Sequence, residues 1–159
     1  MTPTDMPSDR NDPLLLSNQV CFALYSAQHA MTRVYRPILE ELGLTYPQYL
    51  VMLVLWEEEG CAVKQLGERL GLDSGTLTPL LKRLESQGLV RRSRDPADER
   101  IVRINLTPEG KSLKGKAQAV PSHVLAASGR TLPELGELRE DLKRLRLALE
   151  DAERKLDLR

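Results

Sequence analysis

Two short amphipathic segments joined by a glycine-containing turn constrain this chain more than any other feature of its sequence. The first segment is Val63–Leu70, and the turn Gly71–Asp73 leads to the second, Ser74–Gln87. Each segment places its leucines at helical spacing on one face, and Asp73 is a residue type that caps helix N-termini well. Two short helices around such a turn form the helix-turn-helix pattern, in which the second is the recognition helix.

The hydrophobic period changes after Gly88, which ends the second helix. Two short runs of apolar and basic residues, Leu89–Arg94 and Ile101–Leu106, flank the polar, turn-rich stretch Asp95–Arg100. This pattern predicts a β-hairpin with a long loop, the wing of a winged helix-turn-helix. The predicted fold class is therefore mainly α with a small β-hairpin wing.

Further helices are predicted on both sides of this central part. Apolar residues recur every three or four positions up to Leu42, after a helix-start signal at Asp12–Pro13. Pro37 should kink or split this first helix. The sequence Thr45–Pro47 predicts the start of a second helix, and Thr107–Glu109 predicts the start of another.

A last helix is expected from about Pro133 to Leu156, after a break at Gly129. Its leucines recur in a heptad-like seam, with charged residues on the other faces. A winged-helix core needs only about half the length of this chain. We therefore expect the additional helices to form a homodimer interface.

The predicted organisation is a disordered arm over 1–11 and a single domain over 12–159. Within that domain, dimerisation helices cover 12–42 and 108–157, and the DNA-binding part covers about 46–107.

The 159-residue chain has 23 basic and 23 acidic side chains, which argues weakly against a protein that coats nucleic acid. However, seven basic and four acidic residues lie between Lys82 and Arg103, on the predicted recognition helix and wing. A charged run alone would be a solvated surface. A basic stripe that coincides with a helix-turn-helix indicates DNA binding.

In this interpretation the recognition helix enters the major groove of double-stranded operator DNA, and the wing reaches the adjacent minor groove. Arg100 is the candidate for insertion into the minor groove, and Asp98 would orient it. A two-fold dimer would read an inverted repeat. Asp73 and Ser74 have helix capping as a local alternative role. The candidate DNA-binding residues are Ser74, Thr76, Thr78, Lys82, Arg83, Arg94, Asp98 and Arg100.

The two cysteines, Cys21 and Cys61, are too few for a disulfide scaffold. Neither has further ligands at metal-binding spacing, so we expect no metal and no other cofactor. No apolar run is long enough to span a membrane, and the N-terminus has no signal-peptide core. These features predict a cytoplasmic protein without membrane contact. From the residues alone, Cys21 is interpreted as an inert buried thiol.

The order of these elements resembles the MarR family of dimeric winged-helix regulators, and Asp95–Arg100 is similar to that family's wing motif. Three further segments, Asn18–Tyr25, Leu44–Leu50 and Leu72–Glu85, resemble the OhrR branch of organic-hydroperoxide-responsive repressors. The resemblance extends over about 12–123. It implies a transcriptional repressor, and not an enzyme, that releases its operator on peroxide oxidation and so permits expression of a peroxide-resistance gene.

The resemblance also implies that Cys21 is the peroxide-sensing thiol. It implies that Tyr35 and Tyr46, contributed by the partner subunit, donate hydrogen bonds to this sulfur, and that Tyr25 lies beside the pocket. Phenol donors stabilise a thiolate and lower its pKa, as a sensor requires. Oxidation to a sulfenic acid and condensation with a thiol would break these bonds and release the operator.

One departure from the family concerns the resolving thiol. Two-cysteine members carry it in the C-terminal helical region, whereas here no cysteine follows Cys61. Either a low-molecular-weight thiol forms a mixed disulfide with Cys21, or the resolving residue has been lost or substituted. Cys61 has no matching family role and is interpreted as structural.

Three alternatives stay open on the sequence. A MarR-type repressor could be released by non-covalent binding of a small aromatic ligand. A thiol peroxidase would use Cys21, but it needs no wing, and no peroxidase-type arginine and threonine arrangement accompanies the cysteine. A purely helical interaction module would leave the basic wing unexplained.

Overall fold

The computed structural model describes residues 12–157, which divide into two compact units, one that ends at Ser112 and one that begins at Leu113. The arm expected over 1–11 lies outside the described residues, and the single domain over 12–159 stays a prediction. The described range is mainly helical with one small sheet, which confirms the predicted fold class. Its elements are α1 (Val20–Glu40), α2 (Tyr46–Glu57), β1 (Cys61–Ala62), α3 (Val63–Leu70), α4 (Ser74–Ser86), β2 (Val90–Arg94), β3 (Val102–Leu106), α5 (Pro108–Ala117), α6 (Val120–Ser128) and α7 (Leu132–Asp157).

The helix-turn-helix is formed by α3 and α4, as the sequence predicts. Gly71 ends α3 with a φ of 65°, in the left-handed region that favours glycine. Asp73 caps α4, because its Oδ1 accepts the backbone N–H of Thr76 at 2.8 Å. The helix ends at Ser86, one residue before the predicted end, and Gln87 is its C-cap.

Burial against α2 holds these two short helices in place. With 8 and 13 residues, α3 and α4 are too short to be stable alone. α2 contacts α1, α3, α4 and β3, and a helix surrounded in this way needs apolar residues on every face. The fully buried side chains of this unit include Leu39, Val51, Met52, Leu55, Leu66, Leu77, Leu81, Leu84, Val90 and Ile104.

The first long helix begins later than predicted. Asp12 accepts the N–H of Leu14 at 2.8 Å and opens a turn, and a 3-10 helix at Leu16–Asn18 precedes α1. Of the two effects predicted for Pro37, a kink or a split, the split does not occur, because Pro37 lies inside the single helix α1. The helix continues because proline removes a single backbone hydrogen bond, whereas Leu39, two residues later, is buried and anchors the last turn.

The wing is the antiparallel β2–β3 hairpin, in which Val90 lies opposite Leu106 and Arg94 opposite Val102. β3 also pairs with β1, so that the strand order is β1–β3–β2. The sequence does not indicate β1, because two residues are too few to show an alternating pattern.

The loop of the wing is organised by Asp95. Its Oδ1 accepts the backbone N–H groups of Ala97 and Asp98 at 2.8 and 3.3 Å, and its Oδ2 accepts a bond from Arg103. Arg103 also donates to the Gly60 carbonyl at 3.0 Å, which ties the wing to the residue before β1. The Arg103 bond and then the two N–H groups hold the pKa of the Asp95 carboxyl below its usual value.

A close backbone contact joins α5 to the end of α4. Thr107 donates from its hydroxyl to the Gly88 carbonyl at 2.6 Å and accepts the Gly110 N–H at 3.0 Å. Trp56 donates from Nε1 to the Gly110 carbonyl at 2.9 Å. A Cβ atom at Gly110 would come within 2.1 Å of the Leu89 carbonyl oxygen, so this contact requires glycine.

The second unit contains α6 and α7. Gly129 ends α6 in the left-handed region, which is the break that the sequence predicts. The separation of α5 from α6 was not expected. α7 is 26 residues long and charged, and no helix within 12–157 is long and apolar enough to cross a membrane. In the predicted leucine seam of α7, Leu138, Leu142 and Leu149 are 42%, 40% and 60% exposed.

Replacing Gly110 by alanine should destabilise the protein, because the new methyl group would collide with the backbone oxygen of Leu89. We expect the free energy of unfolding, measured by urea denaturation, to fall by about 1–3 kcal/mol. Gly115→Ala on the same helix is the control, since no atom of the described chain lies within 4 Å of its Cβ. The control should be neutral or stabilised by up to about 1 kcal/mol. Equal stability of the two variants would contradict the prediction.

The lowered pKa of Asp95 predicts a pH dependence of stability. Because its folded-state pKa lies below the unfolded value of about 3.9, its bonds stabilise the fold above that pH. This contribution is lost as the pH falls through the folded pKa. Asp95→Asn should therefore be less stable than the wild type at pH 7, and the difference should shrink below about pH 4. Urea denaturation from pH 7 to pH 3 tests this, with Glu99→Gln in the same loop as the control.

Candidate functional site

The recognition helix α4 exposes a polar surface because its leucines point into the core. Leu77, Leu81 and Leu84 are at most 2% exposed. The side chains between them face outward, where DNA could reach them. The exposed candidates on this helix are Ser74, Thr76, Thr78, Lys82 and Arg83.

An ion pair joins α4 to the first strand of the wing. Glu85 accepts a bond from the Arg92 backbone N–H at 3.0 Å and bonds from its Nε and Nη2 at 3.2 and 3.0 Å. The side-chain bonds and then the backbone bond hold the pKa of the Glu85 carboxyl below its usual value. The pair fixes the wing relative to the recognition helix.

A second ion pair lies at the tip of the wing. Arg100 donates from Nε and Nη2 to the two carboxylate oxygens of Asp98, at 3.0 and 3.1 Å, and these bonds lower the pKa of Asp98. The structure thus brings these two candidates together, and the Arg100 side chain is 90% exposed. Arg94 is also exposed and donates to the Glu99 carbonyl at 2.9 Å.

These pairs leave positive charge on the surface. Arg92, Arg100 and Arg103 each have a carboxylate partner. The basic residues of α4 and β2 that form no ion pair within 12–157 are Lys82, Arg83, Arg91 and Arg94. Such side chains are suited to phosphate contacts.

A cleft of about 590 Å³ lies between α3, α4 and the wing. Thr78, Arg92 and Arg100 are among the residues that line it, so polar and basic groups face its interior. Across residues 12–157, no group of three or more His, Cys, Asp or Glu side chains could hold a metal ion.

Cys21 is the second residue of α1 and is exposed, contrary to the buried thiol that the residues alone suggest. Its sulfur makes no hydrogen bond to any described residue of the same chain. Tyr25 follows one helical turn later and is 63% exposed. The ring of Tyr25 contacts that of His29 edge-on, with 4.4 Å between centroids. The thiol and Tyr25 therefore share an accessible helix face.

Tyr35, Tyr46 and Tyr49 form a cluster between α1 and α2. The ring centroids of Tyr35 and Tyr46 are 4.9 Å apart, and Tyr49 lies 6.0 Å from the first and 6.4 Å from the second. Burial, followed by the neighbouring phenols, raises the pKa of Tyr35 to about 12, and burial also raises the pKa of Tyr46. Both hydroxyls are thus kept as neutral hydrogen-bond donors at physiological pH.

Tyr49 was not among the predicted site residues. Its position three residues after Tyr46 on α2 places both rings on one helix face, and this spacing is the signal that would have indicated it. Tyr49 is 4% exposed, so its ring packs against the other two rings on their buried side.

Within one chain, the structure does not bring Cys21 to this cluster. Tyr35 lies fourteen residues further along α1, which corresponds to about 21 Å of helix. A contact between this thiol and the Tyr35 or Tyr46 hydroxyl therefore requires a second subunit.

Cys61 is in a different environment. It is 2% exposed, and its Sγ lies 3.7 Å from Oε1 of Gln65. Burial, followed by the charge of Glu58, raises the pKa of the Cys61 thiol. A buried thiol with a raised pKa is a poor nucleophile.

Comparisons with known proteins agree with this architecture. The family of transcriptional regulators described as SarA/Rot matches residues 33–117. The chain is 57% identical to the HTH-type transcriptional regulator TtmR of Methylorubrum extorquens, over 86% of this chain and 70% of TtmR. It is 50% identical to the organic hydroperoxide resistance transcriptional regulator of Bacillus subtilis, over 87% of this chain and 89% of that protein.

Solved structures of AbfR from Staphylococcus epidermidis are also similar. Reduced AbfR bound to DNA superposes with a TM-score of 0.72 at 36% identity, over 86% of this chain and 93% of AbfR. AbfR has further been solved in an overoxidised form bound to DNA and in a disulfide form. Other structural neighbours are regulators of the MarR family. The chain therefore belongs to the MarR family of winged-helix transcriptional regulators and is of the OhrR type.

Proposed function

We propose that this regulator is a homodimeric repressor that releases its operator when an organic hydroperoxide oxidises Cys21. The observation that carries the proposal is the separation of one exposed thiol from a pair of neutral phenol donors, Tyr35 and Tyr46, by about 21 Å of α1. In a two-fold dimer, the thiol of one subunit can face the phenols of the other. The 50% identity to a Bacillus regulator of organic hydroperoxide resistance supports this assignment.

Exposed apolar side chains support the dimer. Val20, Phe22 and Met31 of α1 are 63%, 41% and 41% exposed, and Leu138, Leu142 and Leu149 of the α7 seam are exposed as well. Apolar side chains that recur along one helix are candidates for a protein interface. We therefore assign dimerisation to 12–42 and 108–157, and DNA contact to about 46–107.

The proposed switch begins with attack of the Cys21 thiolate on one oxygen of the hydroperoxide. The O–O bond breaks, the sulfur is oxidised to a sulfenic acid, and the peroxide is reduced and takes a proton to leave as an alcohol. A low-molecular-weight thiol then attacks the sulfenic sulfur, and a mixed disulfide and water are formed. The Tyr35 and Tyr46 donors would favour the first step by stabilising the thiolate.

Loss of the thiolate removes the acceptor that the phenols require. The adduct also adds bulk at the dimer interface, so the two subunits shift and their recognition helices no longer match an inverted repeat. On the DNA side, Ser74, Thr76 and Thr78 would lie nearest the base edges. Lys82, Arg83 and Arg94 would contact phosphates, and Arg100, oriented by Asp98, would enter the minor groove.

Cys21→Ser should bind operator DNA as tightly as the reduced wild type but should no longer release it on treatment with cumene hydroperoxide and free cysteine. The measurement is fluorescence anisotropy on a duplex from the protein's own upstream region, located by footprinting. Mass spectrometry should find the adduct on Cys21 alone. Cys61→Ser is the matched control and should respond as the wild type does. Peroxide-induced release by Cys21→Ser would contradict the redox switch.

Arg100→Ala should weaken operator binding by about tenfold, because an arginine contact to base edges in a groove contributes about 1–3 kcal/mol to the binding free energy. The same duplex assay measures it, and the loss should be smaller when the A·T pairs under the wing are replaced by G·C. Arg36→Ala, which removes an exposed cation paired with Glu40 on α1, is the control and should leave the affinity unchanged. Equal losses in both variants would show a general charge effect and would contradict a specific role of the wing.

A further inference from the structure

A short chain of hydrogen bonds connects the first turn of α2, which carries Tyr46, to the end of the recognition helix. Its central residue is Gln48, which lies on α2 between Tyr46 and Tyr49 and is 4% exposed although it is polar. Its carbonyl Oε1 accepts the backbone N–H of Thr45 at 2.9 Å, and its amide Nε2 donates to Oε1 of Gln87 at 3.3 Å. One buried side chain therefore contacts both α2's own N-terminus and the last turn of α4.

The second amide extends this connection. Gln87 is the C-cap of α4, and its Nε2 donates to the Gly43 carbonyl at 2.8 Å, in the turn between α1 and α2. That turn follows the helix that carries Cys21 and Tyr35. The end of the recognition helix is thus bonded to α2, which carries Tyr46 and Tyr49, and to the turn that follows α1.

A hydrogen bond between two side-chain amides can couple the movement of Gln48 to that of Gln87, because it depends on the relative position of the two groups. Each primary amide donates and accepts, so a displacement of Gln48 breaks a bond with defined geometry and leaves a buried polar group without a partner, which is costly. Apolar contacts between α2 and α4 could slide without such a penalty. Gln87 is exposed, so water can replace the bond on its side only, whereas the buried amide of Gln48 stays without that partner.

We propose that Gln48 and Gln87 are positioning residues that transmit a displacement of Tyr46 to the recognition helix. When Tyr46 loses its thiolate acceptor, the first turn of α2 moves. Gln48 moves with it and no longer bonds to Gln87, so the C-terminal end of α4 loses this bond to α2. This inference rests on the proposed redox switch and specifies which side chains connect the sensor to the DNA-binding surface.

The test compares the DNA affinities of the oxidised and reduced forms in Gln48→Met, Gln87→Met and the double variant. Methionine keeps the length of glutamine and removes both amide bonds. We expect the ratio of the two dissociation constants to fall by at least about fivefold in each single variant. The double variant should lose no more than either single variant, since the two side chains act as one unit.

Ser86→Ala is the matched control. It lies beside Gln87 at the same end of α4, and its hydroxyl donates only to the Lys82 carbonyl of its own helix at 2.9 Å. This variant should keep the wild-type ratio. The rate of Cys21 oxidation, followed by mass spectrometry, should be the same in Gln87→Met and Ser86→Ala as in the wild type, because neither residue lies on α1 or α2.

The outcomes separate this inference from the function on which it rests. A wild-type protein whose DNA affinity does not change on oxidation overturns both. A wild-type response that Gln48→Met and Gln87→Met retain, or losses that add in the double variant, overturn the connection alone. A purely structural role would weaken both redox forms equally and leave the ratio unchanged, which also overturns it. If Gln48→Met does not fold, the exposed Gln87 still permits the test.

Discussion

The packing of α3 and α4 on α2 is the contact on which the rest of the first unit depends. Neither short helix would persist in water alone, and the leucines that make them fold together are also those that turn every polar residue of α4 outward. The exposed polar surface of α4 is therefore a consequence of core packing. The same packing brings the recognition helix against α2, the helix that carries Tyr46 and Tyr49.

Much of this architecture could be predicted because it depends on local patterns. The bounds of α3, the capping of α4 by Asp73, the turn at Gly71 and the hairpin all follow from spacing and residue type. The failures are also physical. The burial of Leu39 carries α1 past Pro37, and such a tertiary contact has no local signature. The strand β1 is defined only by its pairing with β3.

The features of the candidate site also divide into those that a local pattern predicts and those that depend on tertiary contacts. Sequence pattern places the basic residues of α4 and the wing correctly on an exposed surface, because burial follows the leucine period. The pairing of Glu85 with Arg92 could not be predicted because it depends on how β2 folds back against α4. The bond from Gln48 to Gln87 joins residues 39 positions apart, and no local pattern indicates it. The helical spacing from Tyr46 predicts that Tyr49 lies on the same helix face. It does not show whether the Tyr49 ring belongs to the tyrosine cluster or only to the core.

The ion pair between Glu85 and Arg92 has a consequence for how such a regulator can be controlled. It joins the C-terminal end of α4 to β2, and Asp95 joins the wing loop to β3 through Arg103. A displacement of the C-terminal end of α4 therefore carries β2 with it, so the recognition helix and the wing move together. In the proposed dimer, such a shared movement changes the spacing of the two DNA-binding surfaces, and binding depends steeply on that spacing because the grooves of DNA repeat at a fixed interval.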